Sequence, residues 1–268
     1  MTDLHLDLCW RSRHPSQADD ARRLSRFVTG LPDFDSIYRS WLDSPETRQE
    51  TAPVPLSEAV AKRLLIENIT RYDLPPDPWP QAGSCIWGGH AGPPPYDFRE
   101  ASYADTLCNI GAYGEPARGN SIQMRLSDVR PSTGQPWRAS ELRPLMKFAR
   151  EVWRPAEMCA MFSFYVLDLP SIPDLSPYGL RFAEYLRQHP HIVKPREARC
   201  ILEPRVGWIT YLPPDLAARA KCPADVEVET LDDGAVLVTL CEEPFGKGDA
   251  EGLARLHALE AALRPIQS

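Results

Sequence analysis

Apolar and polar positions alternate, then cycle at helical spacing, then alternate again along this chain. Leu4, Leu6, Leu8 and Trp10 alternate with His5, Asp7 and Cys9, and that period of two predicts a half-buried first strand. Pro15 and Ser16 open the next element. Ala18, Ala21, Leu24, Phe27 and Val28 recur at helical spacing until Gly30 stops the helix. Phe34, Ile37, Tyr38, Trp41 and Leu42 then share one face of a predicted short helix, with Asp33 or Asp35 as its cap. A loop holding Pro45, Pro53 and Pro55 follows, and Ser57 caps a third helix carrying Val60, Leu64, Leu65 and Ile69.

After a proline-rich turn at 74–80 the period returns to two. Residues 84–90, 105–113 and 121–126 read as strands, with Gly111, Gly114 and Gly119-Asn120 punctuating the last connection. Residues 140–153 form a helix whose apolar stripe is Leu142, Leu145, Met146, Ala149, Val152 and Trp153. Pro144 stands either in its first turns or at a kink. Residues 158–167 are an aromatic-rich strand. Residues 168–200, with Pro170, Pro173, Pro177, Pro190 and Pro195, carry only a short helical pattern at 180–186. Residues 206–212, 226–231 and 235–240 are strands. The last two flank Asp232-Asp233-Gly234, a hairpin signal, because Asp-Gly supplies the positive φ of a tight turn. A helix over 250–263 closes the chain, with Leu253, Leu256, Leu259 and Leu263 on one face.

Runs of strands separated by helices predict an α+β fold: a mainly antiparallel sheet with flanking helices. No strongly polar linker divides residues 1–268, so they are expected to form a single compact domain. The element order repeats loosely (strand, helical stretch, three strands, helix), which raises a structural pseudo-repeat with halves 1–155 and 156–268.

Composition narrows the function. Proline, at 28 of 268 residues, is about twice its usual ~5% share, while Gly, at 15, is not raised. The prolines therefore punctuate a folded chain. Thirty basic residues against 37 acidic ones give a net charge of −7. That balance lacks the clustered cations a nucleic-acid binder needs, and it suits a basic partner. No apolar run approaches the ~20 residues of a membrane span, and the N-terminus lacks a basic and apolar leader, so a cytoplasmic location is expected. The seven cysteines, at 9, 85, 108, 159, 200, 222 and 241, have no CxxC spacing and read as reduced, scattered thiols. Cys9, Cys108 and Cys241 fall in strand-like runs as small apolar fillers.

Catalytic patterns are sparse. GxxxxGK[ST], GxGxxG and GxSxG are all missing from the sequence. Gly88-Gly89-His90 has no serine elbow beside it and reads as a packed strand end. His189 and His191 have an HxH spacing, but Pro190 separates them and no carboxylate cluster is near in sequence. His5 and Asp7 share a face of the first strand. Glu242 and Glu243 would point to opposite faces of a strand and so would not converge as an acid/base pair. No catalytic residue, metal or cofactor is therefore assigned, and a binding protein is expected rather than an enzyme. The competing readings are a metal-assisted hydrolase built on His90 or on His189 and His191, and a regulatory module binding something other than a toxin.

Two patches of sequence carry a resemblance. One is the first strand ending in Trp10-Arg11, the helix with residues 24–27, and then Leu31, Asp33 or Asp35, Ile37 and Trp41. The other is Val206-Gly207-Trp208-Ile209-Thr210-Tyr211-Leu212, the Asp232-Asp233-Gly234 hairpin, residues 235–240 and 242–245, and the closing helix. Together they cover somewhat under half the chain, and they resemble the immunity protein 52 family of bacterial polymorphic toxin systems. The resemblance implies an antitoxin that neutralises a cognate toxin by direct contact. The toxin in such systems is often a nuclease of restriction-endonuclease fold, sometimes delivered by type VI secretion. Candidate contacts are the acidic pairs Asp19 and Asp20, Asp232 and Asp233, and Glu242 and Glu243; solvated surface is the competing reading of each. Trp79 and Trp137, in proline-flanked loops, read first as packing over a loop onto the core; they are candidate aromatic anchors as the alternative.

Overall fold

A computed structural model describes residues 4–11, 17–39, 41–42, 50–52, 54–67, 69–71, 83–91, 104–110, 119–126, 129–130, 133–155, 157–162, 206–246 and 248–263. The first strand, β1 (Leu4–Arg11), leads into helix α1 (Gln17–Gly30). Two 3-10 turns follow, Leu31–Asp33 and Ser36–Arg39, and then the short strands β2 (Trp41–Leu42) and β3 (Glu50–Ala52). Helix α2 (Glu58–Glu67) begins after Ser57, whose Oγ accepts the Val60 N–H at 3.3 Å, as expected of a cap. Strands β4 (Ile69–Arg71), β5 (Gly83–Ala91), β6 (Ala104–Ile110) and β7 (Gly119–Leu126) come next, followed by the small ladder of β8 (Val129–Arg130) with β9 (Gln135–Pro136). Helix α3 (Ala139–Trp153) completes the first half, and strand β10 (Glu157–Phe162) opens the second. Beyond residue 205 lie β11 (Ile209–Leu212), α4 (Pro214–Ala217), β12 (Glu227–Thr230), β13 (Val236–Thr239) and α5 (Ala250–Leu263).

Eleven strands form one sheet in the order β12-β13-β11-β10-β1-β7-β6-β5-β2-β3, with β4 also on β5, and every described pairing within it is antiparallel. The fold is α+β. β1 sits near the middle, paired with β7 on one side and β10 on the other, so the two halves of the chain share a single sheet. Their strands are not ordered alike in the sheet. The first half runs β1-β7-β6-β5, whereas the described strands of the second run β10-β11-β13-β12.

The pleat decides which residues face the helices. Leu4, Leu6 and Leu8, with Ile122, Met124 and Leu126 from β7, Met158 and Ala160 from β10, Ile209 and Tyr211 from β11, and Leu237 from β13, are all buried and share one face by register. Helices α1 and α3 are tied together by aromatic contacts. Phe27 stacks on Phe148 at 5.9 Å and meets the edge of Trp153 at 5.7 Å. The opposite face buries Cys159, Thr210, Leu212 and Val238, and the stripe Leu256, Leu259 and Leu263 of α5 belongs to the same continuous core.

Several elements differ from their sequence pattern. The helix expected across Phe34 to Leu42 is two 3-10 turns and then a strand. The Arg130 guanidinium takes the Phe34 carbonyl at 2.6 Å, and the Tyr38 N–H turns to Asp35 O at 3.2 Å, so an α-helical ladder does not form. Ile69 lies in β4, not α2; it and Thr70 are β-branched and pair with Cys85 and Ser84. β11 starts at Ile209, leaving Val206 to Trp208 as an ordered, buried lead-in, and Cys241 falls just past β13. Residues 74–80, 111–113 and 163–200, with Trp79, His189 and His191, lie outside the described residues. The hairpin at 232–234 is as its sequence demands: Gly234 has φ +85, and the Leu231 N–H meets Ala235 O at 2.8 Å.

Candidate interaction surface

Helix α3 begins where the chain leaving β13 arrives. The Ala139 N–H donates to the Glu242 carbonyl at 2.9 Å, and the Ser140 N–H reaches both Glu242 carboxylate oxygens at 3.3 Å. The Ser140 hydroxyl bonds the same carboxylate. A negative group at the positive end of the helix satisfies donors that the helix itself leaves open. Glu243 pairs with Arg138 at 3.4 Å, both well exposed. The two glutamates, read from sequence as diverging from a strand, therefore both turn to the start of α3, because β13 has already ended at Thr239.

From that start, α3 runs alongside β12. Arg143, Lys147 and Arg150 fall at i, i+4 and i+7, one face of the helix. Arg143 pairs with Glu227, Lys147 with Glu229, and Arg150 with Asp232 (3.3 Å) and Asp233. The match is geometric. Four helical residues advance roughly 6 Å, and two strand residues advance roughly 6.8 Å, so successive cations meet successive carboxylates.

Arg150 is the most constrained of the three cations. Partial burial opposes its charge, but the Asp233 carboxylate and the Tyr211 hydroxyl outweigh it and raise its pKa above the usual arginine value. Burial pushes the Tyr211 phenol up. Asp233 moves the other way: the Ala235 N–H, donating at 3.0 Å, and then Arg150 hold its carboxyl below the ordinary range. A carboxylate with a lowered folded pKa stabilises fully above its unfolded pKa of about 3.9 and loses that contribution as pH falls through the folded value. Asp233→Asn is therefore expected to lower the melting temperature at pH 7, by an amount equivalent to less than about 1 kcal/mol for so exposed a group. The gap to wild type should shrink on acidification below about pH 4. An unchanged gap from pH 7 to pH 3 would contradict this role.

The remaining candidates separate by burial. Asp19 is half exposed and pairs with Arg22 at 3.2 Å. Asp20 is only 1% exposed, so it belongs to the interior rather than to an acidic contact surface. Trp137 is 2% exposed, with the Arg130 guanidinium 5.4 Å from its ring centre, and it packs in the core rather than standing out as an anchor. Asp232 stays open, as Glu243 does: its side chain is 89% exposed.

Two groups of functional residues were not apparent from sequence. The first is the position of β12, whose strand was read at 226–231. Among the described strands it ends the sheet, and on it Val228 is 45% exposed, the exposed large apolar side chain among the described residues. Its sequence, Glu-Val-Glu-Thr, held the signal, because carboxylates at i and i+2 with one valine between suit an edge strand. The second is Arg130. It joins Asp35 (3.4 Å), Glu141 (3.0 Å) and the Phe34 carbonyl, and so fastens the 3-10 turns to the start of α3. Glu141 also accepts the Arg138 N–H at 3.1 Å. Burial, and then Asp35, push the Tyr38 phenol pKa up.

Around the open edge, the ion pairs join six carboxylates (Asp225, Glu227, Glu229, Asp232, Asp233 and Glu251) to four cations (Arg143, Lys147, Arg150 and Arg255). Cys222 and Cys241 are free thiols whose pKa burial raises, and Cys159 is buried. Among the described residues, no group of three or more His, Cys, Asp or Glu is placed to hold a metal ion. No described helix is long and apolar enough to cross a membrane.

No family model matches the chain, and no curated protein does. Among solved structures it is similar to the Pseudomonas aeruginosa T6SS protein PA0821, at 12% identity and a TM-score of 0.46 over 98% of this chain and 73% of that one.

Proposed function

We propose that this chain is an immunity protein that binds a cognate bacterial toxin and neutralises it by direct contact, without catalysis. The observation that carries this reading is the acidic rim at the open end of the sheet. Asp225, Glu227 and Asp232 keep more than half of each side chain exposed there. The sequence patch that resembles immunity protein 52, residues 206–212 with the 232–234 hairpin, builds this same end of the sheet. A nuclease of restriction-endonuclease fold fits as the target, since a surface that holds phosphate is cationic. An acidic rim steers such a surface into encounter and sets the on-rate, whereas a desolvated apolar contact sets the off-rate.

The test is co-expression with the toxin domain encoded beside this gene. Growth is expected to be rescued and a stable complex to co-purify, with an association rate that falls as salt rises. A toxic neighbour that is neither rescued nor bound would remove the proposal.

A further inference from the structure

We infer that the open edge of β12 receives an extended, basic segment of the partner as an added strand. The inference rests on the immunity reading and supplies its docking mode.

The backbone argument comes first. The Leu231 N–H donates inward to Ala235 O at 2.8 Å. In an antiparallel ladder, successive residues alternate between inward and outward amides. Glu229 and Glu227 therefore turn theirs toward β13, opposite Leu237 and Thr239. Val228 and Thr230 present N–H and C=O to the outside. These are the groups an incoming strand pairs with.

The side chains then specify the guest. Glu227 and Glu229 share one face of β12, and Val228 and Thr230 share the other. A neighbouring strand is matched when Lys or Arg stands beside the glutamates and an apolar residue stands beside Val228. A second copy of this chain fits poorly in the registers centred on the two middle residues of β12. A two-fold axis at Glu229 sets Glu229 against itself, and an axis at Val228 sets Glu227 against Glu229; like charges directly opposite are unfavourable. Asp232, at the turn, adds an exposed carboxylate at the end of the same edge.

The experiment uses the full chain and the toxin domain encoded beside its gene. Val228→Pro deletes an outward N–H but none of the bonds to β13, and proline is tolerated at such an edge position. Its binding is expected to weaken about tenfold, with the melting curve close to wild type. Val228→Thr, which keeps the amide, should bind within about threefold of wild type. Independently of any substitution, hydrogen exchange at the Val228 and Thr230 amides should slow on complex formation. Toxin binding that is unchanged in Val228→Pro, with no slowing at those amides, would overturn strand addition while leaving the immunity reading intact. Absence of toxin binding by the wild-type chain would remove both. A concentration-dependent dimer of the free chain that Val228→Pro abolishes would assign the edge to a second copy and overturn the basic-partner inference.

Discussion

Replacing Arg130 with methionine is expected to lower folding stability by about 3–5 kcal/mol, the cost of breaking a buried ion pair by removing one member. The Asp35 side chain is wholly buried, and the Arg130 guanidinium lies 3.4 Å from its carboxylate. The same guanidinium also bonds Glu141 and the Phe34 carbonyl and lies over Trp137. Methionine keeps much of the length and apolar stem but none of these bonds. The loss should be much larger than for an exposed pair such as Arg138 with Glu243, where less than about 1 kcal/mol is expected. Denaturant unfolding at pH 7 gives the number. The double variant Arg130→Met with Asp35→Leu should recover part of the loss, since it leaves neither charge of the pair behind. A single-variant loss under 1 kcal/mol would show that Asp35 does not depend on Arg130.

The second large effect is expected at Trp208. It is 1% exposed, and its indole N–H donates to the Cys241 carbonyl at 2.8 Å. The Trp208 carbonyl accepts the Leu240 N–H at 3.0 Å, and two residues on, Thr210 Oγ1 accepts the Gly207 N–H at 3.0 Å. The V-G-W-I-T-Y-L segment thus locks the entry to β11 against the exit of β13. Trp208→Ala is expected to cost about 3–5 kcal/mol, from lost apolar burial and the cavity left behind. Trp208→Phe should fall between, keeping most of the apolar volume but not the indole donor. If Trp208→Ala unfolds within 1 kcal/mol of wild type, this lock is not a structural element. Because the lock sits at the base of the β12–β13 hairpin, the alanine variant should also loosen the acidic rim proposed for toxin contact. Hydrogen exchange across residues 226–240 reads that directly.

Both predictions concern residues whose neighbours are remote in sequence, and that is where sequence reading stopped. The alternation of Leu4, Leu6 and Leu8 was enough to place β1, because a period of two has one structural meaning when one face is buried. The stripe of α3 and the Asp232-Asp233-Gly234 turn were equally direct. The 31–42 segment was misread, because its helical spacing was overridden by an arginine 96 residues away from Phe34. Asp20 looked like a surface group because acidic pairs usually are, and packing around it decided otherwise; Trp137 packs onto the core, the reading its loop setting favoured. Glu242 could be seen at a strand end, but not that the strand delivers it to a helix 102 residues earlier.

The sequence by itself determined the α+β class, the central strands and helices, the hairpin turn and the acidic balance. Each of these depends on local periodicity, on backbone φ or on a simple count. Only the tertiary structure decided that β12 ends the described sheet, that α3 lays its cations along it, and that Arg130 is committed to a buried aspartate. Strand order, edge position and charge pairing are settled by which distant surfaces exclude water together, and no local pattern carries that information.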